Sequence, residues 1–326
     1  MAEGVLVPWE HAWHQALYGP AGFYRHPEGP GGHFVTSAQG IPHGSTILAR
    51  AIVALARRHG LEHVVDLGAG RAELACAVAQ QAPDLRVTAI DVVPRPPSLP
   101  ETVDWQSSPG GAGLPVALTG LTGALLLAHE WLDVVPCPVV QRDEHGVWRV
   151  VAVHPASGRE ELVDEPSDDQ QVWLQRWTTA SVQRTEVGLV RDIAWAELTE
   201  RVDSGLVVAV DYGHTRADRP AHGSLTGYRQ GRQVTPVPDG SCDLTAHVAV
   251  DSLVGVTPGA RRLHQRALFD EALGPIEAVP HDLARTEPTT YLHQLAEQSA
   301  RRALCAPGGL GDFCWVLLGR GTTVDP

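Results

Sequence analysis

The sequence predicts an α/β fold of the Rossmann-like kind, a mostly parallel sheet with flanking helices. Three observations point to it: short apolar runs rich in β-branched residues alternate with helical patterns, the first such run ends in the turn Gly68-Ala69-Gly70, and the next ends near a carboxylate, Asp91. Strand, helix and strand at this spacing imply parallel strands joined by crossover helices.

Residues 1–44 are rich in Gly, Pro and aromatics and read as an irregular N-terminal arm, since Gly and Pro interrupt Leu17–Tyr24 repeatedly. Phe23, Tyr24 and Phe34 are costly to leave in water, so the arm is expected to pack on the body. Ser45–His59 has apolar residues at helical spacing (Ile47, Leu48, Ala51, Ile52, Leu55) and a stop at Gly60. His63–Leu67 reads as the first strand, Arg71–Gln81 as an alanine-rich helix and Leu85–Val93 as the second strand. Val103–Gln106 and Gly123–Ala128 supply the third and fourth. Residues 137–153 alternate apolar and polar around Asp143-Glu144-His145-Gly146, a hairpin signal. A polar loop over 155–170 and helices near 169–182 and 190–203 complete an insertion, 137–204, ahead of the fifth strand, Leu206–Val210. A Gly/Pro/Arg-rich loop over 214–242 follows, then helices near 260–273 and 288–304 and a closing strand, Gly311–Arg320. One catalytic domain, 45–326, preceded by the arm, accounts for the chain.

Bulk composition narrows the function. Acidic residues outnumber basic ones, 38 to 25, for a net charge of −13. That argues against a sequence-independent nucleic-acid binder, which needs a basic face to displace counterions, and permits a cationic partner. The five cysteines form no C-x-x-C pair and read as reduced thiols. The sixteen histidines show no H-E-x-x-H, so no metal is expected. Residues 1–14 lack an export signal. The uncharged stretch Gln106–His129 is broken by Pro109, Pro115, Gly120 and Gly123 and reads as a loop and buried strand, not a membrane span. The expected setting is the cytoplasm, away from membranes, and a homo-oligomer is compatible with all of this.

The glycine turn carries the cofactor signal. In Val64-Val65-Asp66-Leu67-Gly68-Ala69-Gly70 the glycines let the backbone turn sharply and pass close to a ligand. Asp91, at the end of the next strand, can accept both ribose hydroxyls of an adenosyl group. A dinucleotide fingerprint wants a third glycine where this chain has Glu73, and a carboxylate in the first helical turn repels a pyrophosphate there. The motif therefore favours S-adenosylmethionine (SAM) over NAD or a flavin, with a turn that binds nothing as the remaining alternative.

Further segments fall into place beside this. Tyr18-Gly19-Pro20-Ala21-Gly22-Phe23-Tyr24 with Phe34-Val35-Thr36-Ser37, Asp66-Leu67-Gly68-Ala69-Gly70-Arg71, and His129-Glu130-Trp131-Leu132-Asp133-Val134-Val135-Pro136 occur in this order. Asp211-Tyr212-Gly213, Gly223–Arg229 and Asp243–Val248 follow. The ordered set resembles the MidA family of SAM-dependent methyltransferases, whose mitochondrial members methylate an arginine of a respiratory complex I subunit. His129 stands where that family has asparagine, Ala69 where it has proline, and His33 where it has an acidic residue. The resemblance implies a class I, Rossmann-like methyltransferase with SAM as cofactor and a protein arginine as acceptor. Cofactor contacts are expected from Asp66, Gly68, Ala69, Gly70, Asp91, His129 and Thr36, with substrate contact or plain packing as the alternatives for His129.

For the chemistry, Glu130 and Asp133 are the candidates, with Asp211 beside them at the same sheet edge. A guanidinium is protonated at physiological pH, and a pair of carboxylates can hold its fork and free one nitrogen toward a methyl group. Helix capping or first-turn charge is the plain alternative for Asp133, a solvated loop charge for Glu130, and turn stabilisation for Asp211. Tyr18, Phe23 and Tyr24 either lid the site or pack the arm. A small-molecule methyltransferase and a SAM-binding assembly factor without catalysis remain alternative functions.

Overall fold

The computed structural model describes residues 5–25 and 40–321. Its largest sheet has seven strands: β1 (His63–Leu67), β2 (Arg86–Asp91), β3 (Val103–Ser107), β4 (Leu121–His129), β5 (Val202–Asp211), β6 (Arg261–His264) and β7 (Cys314–Arg320). Their order is β3-β2-β1-β4-β5-β7-β6. The five strands from β3 to β5 are mutually parallel, and β7 runs antiparallel to both of its neighbours.

Alternation along the central strands explains why this sheet is buried on both faces. Val64, Leu125, Leu127, Leu206 and Val208 point to one side. There they meet helices α2 (Gly44–Arg58), α3 (Glu73–Gln81), α7 (Gln265–Leu273) and α8 (Pro288–Leu304). Val65, Leu67, Leu126, Val207 and Ala209 point to the other, where they meet α5 (Leu189–Thr199) and α6 (Val250–Val256). Each fully buried aliphatic side chain contributes roughly 1.5–3 kcal/mol. With both faces covered, such strands become near-continuous apolar runs.

Between β4 and β5 the chain builds a second sheet. Its strands are Trp148–Val153, Val139–Arg142 and Arg184–Glu186, extended at one edge by Val7–Pro8, with Glu160–Leu162 paired off its path. Helix α4 (Asp168–Trp177) starts on a capping box in which the Ser167 hydroxyl accepts from the Gln170 N–H. Helix α1 (Trp9–Tyr18) packs Trp9, Trp13 and Leu17 against Val139, Val151 and Val153 of this sheet and against Leu244.

Four local readings differ from the structure. The N-terminal arm contains a regular helix, α1, before Gly19 breaks it, because Trp9, Trp13, Ala16 and Leu17 share one apolar face. The 214–242 loop holds a hairpin, Thr226–Arg229 with Arg232–Val234, which pairs onward with the strand Asp243–Thr245. Glu160–Leu162 is a strand inside the expected 155–170 loop. The segment opening the expected 260–273 helix is the strand β6, which gains a ladder with β7 that local propensity cannot anticipate.

Candidate active site

A cavity of about 1180 Å³ opens at the carboxyl ends of β1, β2, β4 and β5, the edge at which open α/β sheets bind ligands. At β1 the chain turns through Gly68, whose φ of +77° is a left-handed conformation. A Cβ there would come within 3.3 Å of the Trp131 ring. Gly70 has φ +58°, and a Cβ on it would meet nothing within 4 Å. Gly68 and Ala69 both donate their N–H groups to the Ile90 carbonyl, at 2.9 and 3.1 Å. The turn is thus tied to β2.

Asp91 completes that tie. Its Oδ2 accepts the Gly70 N–H at 2.8 Å and its Oδ1 the Val93 N–H at 3.1 Å. Burial raises its pKa, and these hydrogen bonds oppose the rise. Asp66, near the end of β1, is buried, and its Oδ2 has no hydrogen-bond partner. Burial, then the charges of Asp91 and Glu73, push it up to about 7. Asp66, Gly68, Ala69, Gly70 and Asp91 all line the cavity. Thr36 lies outside the described residues.

The adjoining wall is built from the β4 terminus. His129 is buried, and desolvation lowers its pKa to about 4, so its imidazole is neutral near pH 7. Its Nε2 lies 3.8 Å from Glu130 Oε1. Glu130 holds φ at +50°, an uncommon conformation for a residue with a side chain. Its N–H donates to the Val210 carbonyl of β5 at 2.8 Å, which pins it across the sheet edge. Asp133 is buried, and its Oδ2 accepts both the Tyr212 hydroxyl and the Thr245 hydroxyl. Its Oδ1 has no partner. Burial raises the Asp133 pKa against the pull of those hydroxyls.

Asp211 lies at the end of β5. It is not among the residues that line the cavity. Its Oδ2 accepts the N–H groups of Leu132 and Asp133, each at 3.1 Å, and its Oδ1 accepts the Tyr212 N–H. The chain turns sharply after β4 and leaves these amides without strand partners, so the carboxylate braces the turn from behind. These are the contacts of a turn-stabilising aspartate, the alternative for Asp211.

Several cavity residues have no role assigned from the sequence. Tyr212, Tyr228, Asp243, Thr245 and His247 line the cavity, together with Tyr18 and Tyr24 of the arm. Asp243 accepts the Tyr24 hydroxyl at 2.9 Å, and burial followed by the charge of Asp133 pushes it up to about 8. Asp243 and Thr245 alternate with Leu244, which faces the apolar cluster around Trp13. They fall inside the motifs that carry the family resemblance, so the signal was present without the geometry. Phe23 is buried in that same cluster and does not line the cavity.

Among the described residues, His43, His293 and Glu297 form one group with metal-ligand chemistry. Both Glu297 carboxylate oxygens already accept from the Arg50 guanidinium, and none of the three lines the cavity. No helix of the described residues is long and apolar enough to cross a membrane.

The cavity suits an adenosyl cofactor. It combines an open glycine turn, a preorganised carboxylate at Asp91 and an orphaned buried oxygen on Asp66 beside them. With the mixed α/β fold, these features define a SAM-dependent methyltransferase. Residues 78–266, more than half of the chain, match Methyltransf_28, described as "Putative S-adenosyl-L-methionine-dependent methyltransferase", and the chain belongs to that family. SAM is its cofactor. Two solved structures from Burkholderia thailandensis share the fold. One, bound to S-adenosyl-homocysteine, is 22% identical with a TM-score of 0.71, covering 99% of this chain and 90% of that one. The other, a native crystal structure, is 21% identical with a TM-score of 0.71 and the same coverage of 99% and 90%. No curated protein matches the chain.

Proposed function

We propose that the chain is a class I, Rossmann-like methyltransferase of the MidA kind that methylates an arginine side chain of a protein. The strand order and the antiparallel β7 support the class I reading. The acceptor rests on one observation: Asp133, nearly fully buried at the cavity wall, has one oxygen saturated by two hydroxyls and the other without a partner. A buried carboxylate oxygen in that state calls for a donor, and a guanidinium supplies several in a fixed fork. Glu130 stands beside it on a backbone held in a strained conformation, a feature that clusters at active sites.

When bound, SAM supplies an electrophilic methyl group on a sulfonium with a good leaving group. The chain's own residues do the rest. Asp133 and Glu130 hold the guanidinium and draw its positive charge to one side, which frees a lone pair on the opposite nitrogen. Held there, the nitrogen would meet the methyl carbon of bound SAM, whose bond to sulfur would break with its electron pair left on sulfur. Glu130 takes the proton that the nitrogen loses. Tyr18, Tyr24 and Tyr212 wall the acceptor end and exclude water. The arm (1–44) and the 137–204 insertion are embellishments of a catalytic domain over 45–326, and five free thiols suit a reducing, cytoplasmic setting.

The test is to add the purified protein and labelled SAM to lysate from a strain lacking it, then identify what becomes labelled. Label on a protein arginine supports the proposal. Label only in small molecules moves the acceptor class, and SAM binding with no label anywhere leaves an assembly factor.

A further inference from the structure

Arg191 projects from the first turn of α5, inside the segment between β4 and β5, and its side chain is buried. No carboxylate of the described residues lies within ion-pair distance of it. Two acidic residues close to it in the chain are committed elsewhere. Glu186 accepts from Ser224 and Leu225, and Asp192 from Trp173 and Ser252. The guanidinium instead donates to four backbone carbonyls. Nε reaches Val135 at 3.1 Å, Nη2 reaches Asp133 at 2.6 Å, and Nη1 reaches Ala246 at 2.9 Å and His247 at 3.1 Å. One face lies over the Trp13 ring, 5.6 Å from its centroid.

A buried guanidinium without a carboxylate partner is expensive unless its charge is used. The carbonyls it binds belong to two segments that carry the acceptor end, 133–135 beside Glu130 and 246–247 beside Thr245. We propose that Arg191 is a positioning residue for methyl transfer, clamping these two segments together and setting its positive charge behind the acceptor-end carboxylates. The proposal rests on the methyltransferase reading of that cavity and assigns a task to the segment between β4 and β5. Arg191 itself does not line the cavity.

The groups facing Asp133 show why the charge matters. His129 and Glu130 come from its own segment, Asp211 and Tyr212 from the end of β5, Asp243 and Thr245 from their strand, His247 from the loop beyond, and Tyr18 and Tyr24 from the arm. Three of these are carboxylates, and His129 is neutral near pH 7. Arg191 is the cation among the causes that act on Asp133, and it also lowers Asp211.

The test needs no acceptor. Asp133 is followed by carboxyl-carbon NMR in aspartate-labelled full-length protein, its resonance assigned by loss in Asp133→Asn. Arg191→Met should raise its titration midpoint by about one pH unit or more and speed amide exchange over 130–136 and 246–248. Arg191→Lys should keep the midpoint close to wild type, since the charge remains, while exchange still quickens. An unchanged midpoint in Arg191→Met, even with faster exchange, would reduce Arg191 to a structural brace and overturn the proposal. If the Met variant does not fold, Arg191→Lys decides: a retained midpoint with faster exchange supports the clamp, and wild-type exchange overturns it. SAM affinity, measured on wild type by calorimetry, tests the methyltransferase reading separately; its absence would sink that reading without altering the Asp133 titration.

Discussion

Asp91 accepts the backbone N–H of Gly70 at 2.8 Å, so the carboxylate at the end of β2 and the turn at the end of β1 are one unit. Asp91→Ala removes the tether and, on the proposed function, the acceptor for the ribose hydroxyls. Losing hydrogen bonds to a charged group is worth about 1.5–3 kcal/mol, so SAM affinity should fall roughly ten- to hundredfold. Gly68→Val should abolish binding, because it demands a left-handed β-branched residue pressed on Trp131. Calorimetry with SAM and with NAD checks both variants; unchanged SAM affinity in either would dissociate the turn from the cofactor.

Trp13 shows how the arm is fastened. It is fully buried and donates its Nε1–H to the Leu244 carbonyl at 2.9 Å, behind the strand that carries Asp243 and Thr245. Trp13→Ala should cost about 3–5 kcal/mol in urea unfolding. Tyr24→Phe keeps the packing and removes only the hydroxyl that Asp243 accepts. It should lower stability by about 1–3 kcal/mol and raise KM for the acceptor while SAM affinity holds. A Tyr24→Phe enzyme with unaltered KM would make the arm a packing element alone.

What was legible in the sequence follows from how local each feature is. His63–Leu67 matches β1 residue for residue, because Val64, Val65 and Leu67 put apolar side chains on both faces of the strand. The glycine turn and Asp91 were equally plain, since a left-handed turn and a carboxylate at a strand end leave chemical marks. Helix α1 was readable in Trp9, Trp13, Ala16 and Leu17, but the Gly and Pro after it dominate the composition of the arm. Arg191 carried no mark at all. Its partners are backbone carbonyls more than fifty positions away, brought together only by tertiary folding. Asp211 shows the same limit in reverse: its position at the sheet edge suggested chemistry, while the amides of Leu132 and Asp133 claim its oxygens.

Stability should fall between pH 6.5 and 8 in the absence of ligand. Asp66 and Asp243 are pushed up to about 7 and about 8. Each keeps its proton in the folded protein after the unfolded chain has lost it, so unfolding releases a proton and rising pH favours it. His63, His129 and His214, lowered to about 4, act with the opposite sign, but only between pH 4 and 6.5. Above 6.5 they are neutral in both states and drop out. Asp243→Asn keeps an oxygen for Tyr24 and removes the titration, so its decline over this window should be shallower than that of wild type. Thermal unfolding at half-unit steps reads the slope, and parallel curves would mean that Asp243 is ionised well below pH 6.5.

Glu130 offers the sharpest separation of stability from chemistry. Its φ of +50° costs a residue with a Cβ about 1–2 kcal/mol, a cost glycine does not bear. Glu130→Gly should therefore hold or raise the melting temperature while turnover on the identified acceptor is lost. Glu130→Gln keeps the shape and hydrogen-bonding capacity and removes the charge. It should leave SAM affinity within a few-fold and lower turnover by roughly 10²-fold or more, the scale for one positioned catalytic group. Loss of SAM affinity in the Gln variant would make Glu130 a cofactor ligand. Full turnover there would remove the carboxylate grip, and with it the physical argument for a cationic acceptor. A Gly variant that melts lower than wild type would show instead that the Glu130 side chain stabilises the turn, with its strain offset by contacts to its neighbours.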